Sequence, residues 1–147
     1  MSIKNLITRR GGGVLVCVAA AAITQWLVPA QASLEEYPFD LKTKHPKALA
    51  AYKKIVPAKY KKMAWIASLD GTAGPMSSVK DSGKKCLTGS VCWPHNCGGN
   101  QVAFLISEDG LVAVALLRST DLTGGKDVLF GKPTQAQLGI LNDQLDD

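Results

Sequence analysis

Arginine is nearly missing from this 147-residue chain: Arg9 and Arg10 stand near the start, and Arg118 is the only other one. A nucleic-acid binder would be expected to use the bidentate guanidinium, so nucleic acid is not an expected partner. Cysteine is sparse as well. Four residues are too few for a small fold held together by many disulfides. A spanning helix needs about 20 apolar residues, and the apolar run from Val14 to Ile23 is shorter. There is no internal repeat and no low-complexity tract. Histidine occurs twice, at His45 and His95, and Ser and Asp are scattered among turns, so no nucleophile-and-base constellation marks an enzyme. With 46% apolar and 20% charged residues, disorder and collagen-like structure are excluded. The length suits one domain.

Residues 1–32 differ from the rest. Lys4, Arg9 and Arg10 give a cationic start without an acid, the apolar run follows, and Pro29-Ala30-Gln31-Ala32 carries an A-x-A pattern. This reads as a secretory signal peptide cut after Ala32, leaving a single domain over residues 33–147 and no membrane anchor. A twin-arginine reading fits poorly because three glycines follow Arg10. Lipidation at Cys17 fits poorly because Val16 is bulky and the cysteine lies inside the apolar run. The leader takes three positive charges with it, so fourteen Lys and Arg face twelve Asp and Glu afterwards. Eight lysines between Lys42 and Lys62, with no acid from Leu41 to Leu69, read first as a solvated helix face. Their competing use is salt-sensitive contact with an anionic envelope polymer.

Ser33 to Lys44 is polar and expected to be an irregular arm. His45-Pro46 opens a helix, because proline suits the first helical position. Leu49, Tyr52, Ile55 and Val56 recur on one face, and Pro57 stops or kinks the helix. Trp65 follows as a core anchor. Beyond Asp70, glycines divide the chain into strand-like pieces at Met76–Lys80, Lys85–Val91, Gln101–Ser107, Leu111–Arg118 and Val128–Phe130. Val102, Phe104 and Ile106 alternate, but Leu105 interrupts the other side, so both sheet faces are expected to be partly covered. Glu108-Asp109-Gly110 makes a hairpin turn. Pro133 begins a last helix with Leu138, Leu141 and Leu145 on one side. The expected fold is α+β, a central antiparallel sheet of about five strands flanked by helices.

Chemistry concentrates in Cys92-Trp93-Pro94-His95-Asn96-Cys97-Gly98-Gly99, a loop between two strands. Export places the chain in an oxidising space, where two of Cys86, Cys92 and Cys97 should pair. A bond between Cys92 and Cys97 would close a small ring, in which Pro94 restrains itself and Trp93 while Asn96, Gly98 and Gly99 tolerate positive φ. In the loop model such a ring reduces unfolded-state entropy by only about 2 kcal/mol, so its stronger effect would be to present His95 in one orientation. Three plainer readings compete. The bond only pins a turn; Cys86, Cys92, His95 and Cys97 hold zinc at an irregular spacing; or the pair is redox-active, although it lacks C-x-x-C spacing.

Cys92-Trp93-Pro94-His95-Asn96-Cys97 resembles the C-K-P-H-[DN]-C signature of the periplasmic inhibitor of vertebrate lysozyme (Ivy) family. Ala64-Trp65 after a helix, a glycine-containing turn and strand before the first cysteine, and a strand ending in Ser107 extend the similarity over roughly Leu49 to Arg118. The resemblance implies a periplasmic inhibitor of c-type lysozyme. A loop closed by Cys92 and Cys97 plugs the active-site cleft. His95 contacts the catalytic carboxylates, while Trp93, Pro94 and Asn96 line the contact. It implies no catalysis, cofactor or metal. The same loop on the cell's own lytic transglycosylases is the alternative target, and the protein would be a monomer or homodimer. Three departures stand out. Trp93 replaces the usual lysine, Cys86 is an added cysteine read as a buried thiol, and the slightly positive processed chain gives no long-range steering toward a basic enzyme.

Overall fold

A computed structural model describes residues 32–33 and 35–145. The expected signal peptide lies, apart from Ala32, outside the described residues. Along the chain run β1 (Ala32–Ser33), α1 (Leu41–Lys44), α2 (Pro46–Ile55), α3 (Ala64–Ala67), β2 (Thr72–Ala73), β3 (Ser77–Asp81) and β4 (Lys84–Cys92). Then come β5 (Asn100–Ser107), β6 (Ala113–Ser119), α4 (Thr120–Thr123), β7 (Asp127–Phe130) and α5 (Gln135–Asp143).

The strands form one antiparallel sheet in the order β1-β3-β4-β5-β6-β7, and β2 joins the far end of β4. From β3 to β7, neighbours in sequence are neighbours in the sheet, as short connections dictate. The fold is therefore the α+β arrangement expected. All five anticipated strands are present with ends shifted by one or two residues. Two additional strands, β1 and β2, are only two residues long each.

β5 occupies the centre because both of its faces are apolar. Val102, Phe104 and Ile106 point to the α2 side, where they pack with Leu49, Tyr52, Val56, Trp65, Ile66 and Leu117. Ala103 and Leu105 point to the α5 side, with Cys86, Val114, Leu116 and Leu141. Period-two alternation explains how one strand serves two cores. Pro46 starts α2, and its apolar residues fall three and four apart. Pro57 forces Val56 into extended backbone, with ψ of 122°, and the helix stops there. The buried Tyr52 ring meets Phe104 edge-on at 6.5 Å, and its hydroxyl donates to the Ile66 carbonyl at 2.6 Å. Burial pushes that phenol well above its ordinary pKa.

The polar arm expected before His45 is more ordered than its composition suggests. Pro38 and Leu41 are buried, Leu41 completely, and a 3-10 turn over Pro38–Asp40 leads into α1. Burying one leucine side chain stabilises by about 1.5–3 kcal/mol, enough to hold a short segment. The Asp40 carboxylate accepts from the Tyr37 amide at 2.9 Å, and Glu36 engages His45 Nε2 at 3.0 Å.

Candidate functional site: a disulfide-closed loop between β4 and β5

Seven residues, Trp93–Gly99, leave the sheet between β4 and β5. Their base is held on both sides. Cys92 pairs with Thr72 of β2 and with Gln101 of β5, and the Trp93 amide adds a bond to the Asn100 carbonyl at 3.0 Å. Gly71 makes the close approach of β2 possible. A Cβ there would lie 2.5 Å from the Cys92 carbonyl oxygen and 2.6 Å from Val91 Cγ1.

The pairing left open in the sequence is Cys92 with Cys97, their Cα atoms 4.9 Å apart. Cys86 remains a thiol, fully buried near the other end of β4 opposite Ser107. Burial is the main reason its pKa is raised. The residues of the alternative zinc set therefore do not converge: two sulfurs are bonded to each other, and the third lies in the α5-side core.

At the tip, the Asn96 amide donates to the Trp93 carbonyl at 2.9 Å, closing a four-residue turn. Pro94 is its second residue and His95, with φ of +64°, its third. A proline followed by a left-handed residue is the pattern of a type II turn, whose third position favours glycine or asparagine. Of the residues read as tolerating positive φ (Asn96, Gly98 and Gly99), Gly99 adopts it; the other positive φ in the loop falls on His95. Pro94 suits the second position of type I and type II turns alike; in the type II geometry adopted here the left-handed position is the next residue, the histidine. Holding a non-glycine residue in such a region costs on the order of 1–3 kcal/mol unless its surroundings impose it. Pro94, His95 and Asn96 are exposed.

The surroundings do impose it. The Asn96 side-chain amide donates to Asp121 Oδ2 at 2.8 Å, and the Asn100 amide reaches the same oxygen at 3.1 Å. Asn100 and Ser119 are buried, and Ser119 Oγ donates to Asn100 Oδ1 at 2.5 Å while accepting from the Leu122 amide at 3.0 Å. Thr120 donates to the Gly99 carbonyl through its amide at 2.8 Å and its hydroxyl at 3.0 Å. A polar network in which each member has a partner rigidifies what it holds. The first turn of α4 thus acts as a side brace for the returning leg of the loop.

Of the contact residues expected from the sequence, Pro94 and His95 stand clear of the body. Trp93 is half-buried and stacks on Trp65, with centroids 6.1 Å apart and planes 14° apart. Asn96 is turned toward Asp121. Asp121, Asn100, Ser119 and Thr120 were not anticipated. Asn96 and Asp121 are 25 residues apart in sequence. The available signal was Ser119-Thr120-Asp121, a helix-capping serine with an acid in the first turn.

Fold and site together define an α+β domain that displays a histidine on a braced, disulfide-closed hairpin loop. No family model matches the chain. Among curated proteins it is similar to an uncharacterized protein of Pseudomonas aeruginosa, 33% identical over 90 residues. That match covers 55% of this chain and 58% of the relative, so the chain spans less than two thirds of the relative's length.

Proposed function

We propose that this protein is an exported inhibitor of c-type lysozyme that acts by seating His95 in the enzyme's catalytic cleft. One observation carries the reading: an exposed histidine occupies the turn position where glycine is favoured, at the tip of a loop tied by the Cys92–Cys97 bond and by Asp121. Connection of two strands does not require that residue there. Presentation of an imidazole does.

The chemistry of the target fits an imidazole. Lysozyme uses one carboxylic acid with a raised pKa and one ionised carboxylate. A neutral imidazole donates from one nitrogen and accepts at the other, and the charged form donates from both. One ring can therefore engage two carboxyl groups in different protonation states. Hydrogen bonds to charged groups in a dry cleft contribute about 1.5–3 kcal/mol each. Because the loop is already ordered, little conformational entropy is lost on docking. The leader-like residues 1–32 and the disulfide support a periplasmic location.

The deciding experiment is a lysozyme turbidity assay with the purified protein and with His95→Ala. Inhibition weakens by at least about tenfold, the equivalent of losing one charge-assisted hydrogen bond, with little change in melting temperature. Equal potency of the variant removes the mechanism.

A further inference from the structure

Away from the loop, two adjoining cavities lie along α2. The larger, about 360 Å³, is lined by Phe39, Lys42, Lys53, Ser68 and Asp70 among others. The second, about 280 Å³, is lined by Lys53, Lys61, Ser68 and the apolar Val56 and Ala67. Lys53 and Ser68 belong to both, so the two adjoin and together make up one grooved face along α2.

Its charges are unbalanced. The ion pairs among the described residues engage Lys44, Lys84, Lys85, His45 and Arg118, and none engages Lys42, Lys53 or Lys61. Three lysines thus line one concave surface, and among the described residues Asp70 is the only acid in its walls. Like charges gathered in a concavity focus a positive potential, which an anion relieves. Lysine is a compact point charge on a flexible stem and demands no planar, bidentate partner.

The rest of the lining is not that of a bare cationic patch. Phe39 is 61% exposed, an unusual place for a large apolar ring, and it is held there by stacking on Tyr37 at 5.4 Å with the planes 6° apart. One face of a sugar presents C–H groups, whose partial positive charge suits the negative face of an aromatic ring. Ser68 both donates and accepts hydrogen bonds, and the Asp70 carboxylate accepts from hydroxyls. A carboxylate in the wall opposes a run of phosphodiesters but suits a ligand with hydroxyls between its charges.

We propose that this groove binds an acidic oligosaccharide, a chain of more than one sugar unit carrying carboxylate or phosphate. The acidic groups sit at Lys42, Lys53 and Lys61, one sugar face lies on Phe39, and hydroxyls bond to Ser68 and Asp70. This site is independent of the inhibitor reading and uses none of its residues.

The test is calorimetric titration of the full chain with four probes: tetragalacturonate, neutral chitotetraose, tripolyphosphate and a short oligothymidylate. It is run at about 0.1 M salt, where charges more than ~10 Å apart are largely screened. Tetragalacturonate binds, and each other probe binds at least about tenfold more weakly, since neither charge nor sugar alone satisfies the lining. Lys53→Gln weakens tetragalacturonate by about tenfold, Phe39→Ala by about fivefold, and Lys84→Gln leaves it unchanged. Circular dichroism checks that these surface variants fold. Lysozyme inhibition by Lys53→Gln stays at the level of the parent, so failure of one reading is visible apart from failure of the other. The proposal is overturned if tripolyphosphate or oligothymidylate binds as tightly as tetragalacturonate, if chitotetraose does, or if Lys53→Gln binds like the parent.

Discussion

β4 is entered and left by two hairpin connections that solve the same problem differently. At its start, Ser82 and Gly83 join β3 to β4 with φ values of 49° and 78°, the two positive angles of a tight turn that matches strand twist. At its end, seven residues, a disulfide, a proline and a brace from α4 join β4 to β5. Both connect antiparallel neighbours, so the second contains far more than connection requires. The surplus has one geometric result, the outward and fixed placement of His95. In the first connection the strained angle falls partly on glycine, which tolerates it. In the second it falls on the residue that the loop displays.

The sharpest way to break that contrast is to give the second turn the residue its geometry favours. Replacing His95 by glycine relieves the backbone, so the melting temperature holds or rises, by the equivalent of up to about 1 kcal/mol. Inhibition of c-type lysozyme nevertheless falls by at least about tenfold, as expected when a charge-assisted hydrogen bond is lost. A variant that gains stability and keeps its potency would mean that the histidine is incidental.

Opening the ring comes next. With Cys92→Ser and Cys97→Ser combined, loop-closure entropy predicts a stability loss of about 2 kcal/mol. The same change, or added reductant, lowers inhibition proportionally more than it lowers the melting temperature. The opposite order would return the disulfide to a purely structural role.

Asp121→Ala removes the shared acceptor of Asn96 and Asn100. Inhibition drops by about fivefold, in keeping with the loss of about 1 kcal/mol of ordering from a part-exposed network. A cycle with Asn96→Ala shows non-additivity, because the two residues act through one bond. Additive losses would show that the brace does not act on the loop. Gly83→Ala in the other hairpin supplies the control: it destabilises by about 1 kcal/mol through its left-handed φ and leaves inhibition unchanged.

The smallest expected effect concerns pH. Asp109, in the β5–β6 connection, is held well below its ordinary pKa by Lys84 first, then by Ser107 and the Leu111 amide. A depressed carboxylate contributes stability that is present above its unfolded value of 3.8 and is lost as pH falls through the lower folded value. Denaturant midpoints measured below about pH 4 therefore fall less steeply for Asp109→Asn than for the parent. Parallel slopes would remove Asp109 from the acid response.

Much of the sheet was legible in advance because strand patterning is local. The alternation around Phe104 and the interruption at Leu105 already implied a strand with partial cover on both sides, and Pro46 marked the start of α2 and Pro57 its stop or kink. The arm before His45 was misread because its order comes from one buried leucine and from carboxylate contacts that composition does not reveal. At the site, the six-residue cysteine segment marked the loop, but its side brace was invisible.

Residue order alone placed α2, the last helix and the five long strands to within about two residues, since dihedral preference and apolar period act between near neighbours. It also placed proline directly before His95, and a proline fixes its own backbone and limits its neighbours without help from the rest of the chain. Only tertiary packing decided which sulfur stayed free, that Trp93 lies on Trp65, and that Asp121 grips the loop. Those contacts join residues far apart along the chain, and their geometry exists only once the sheet has brought them together.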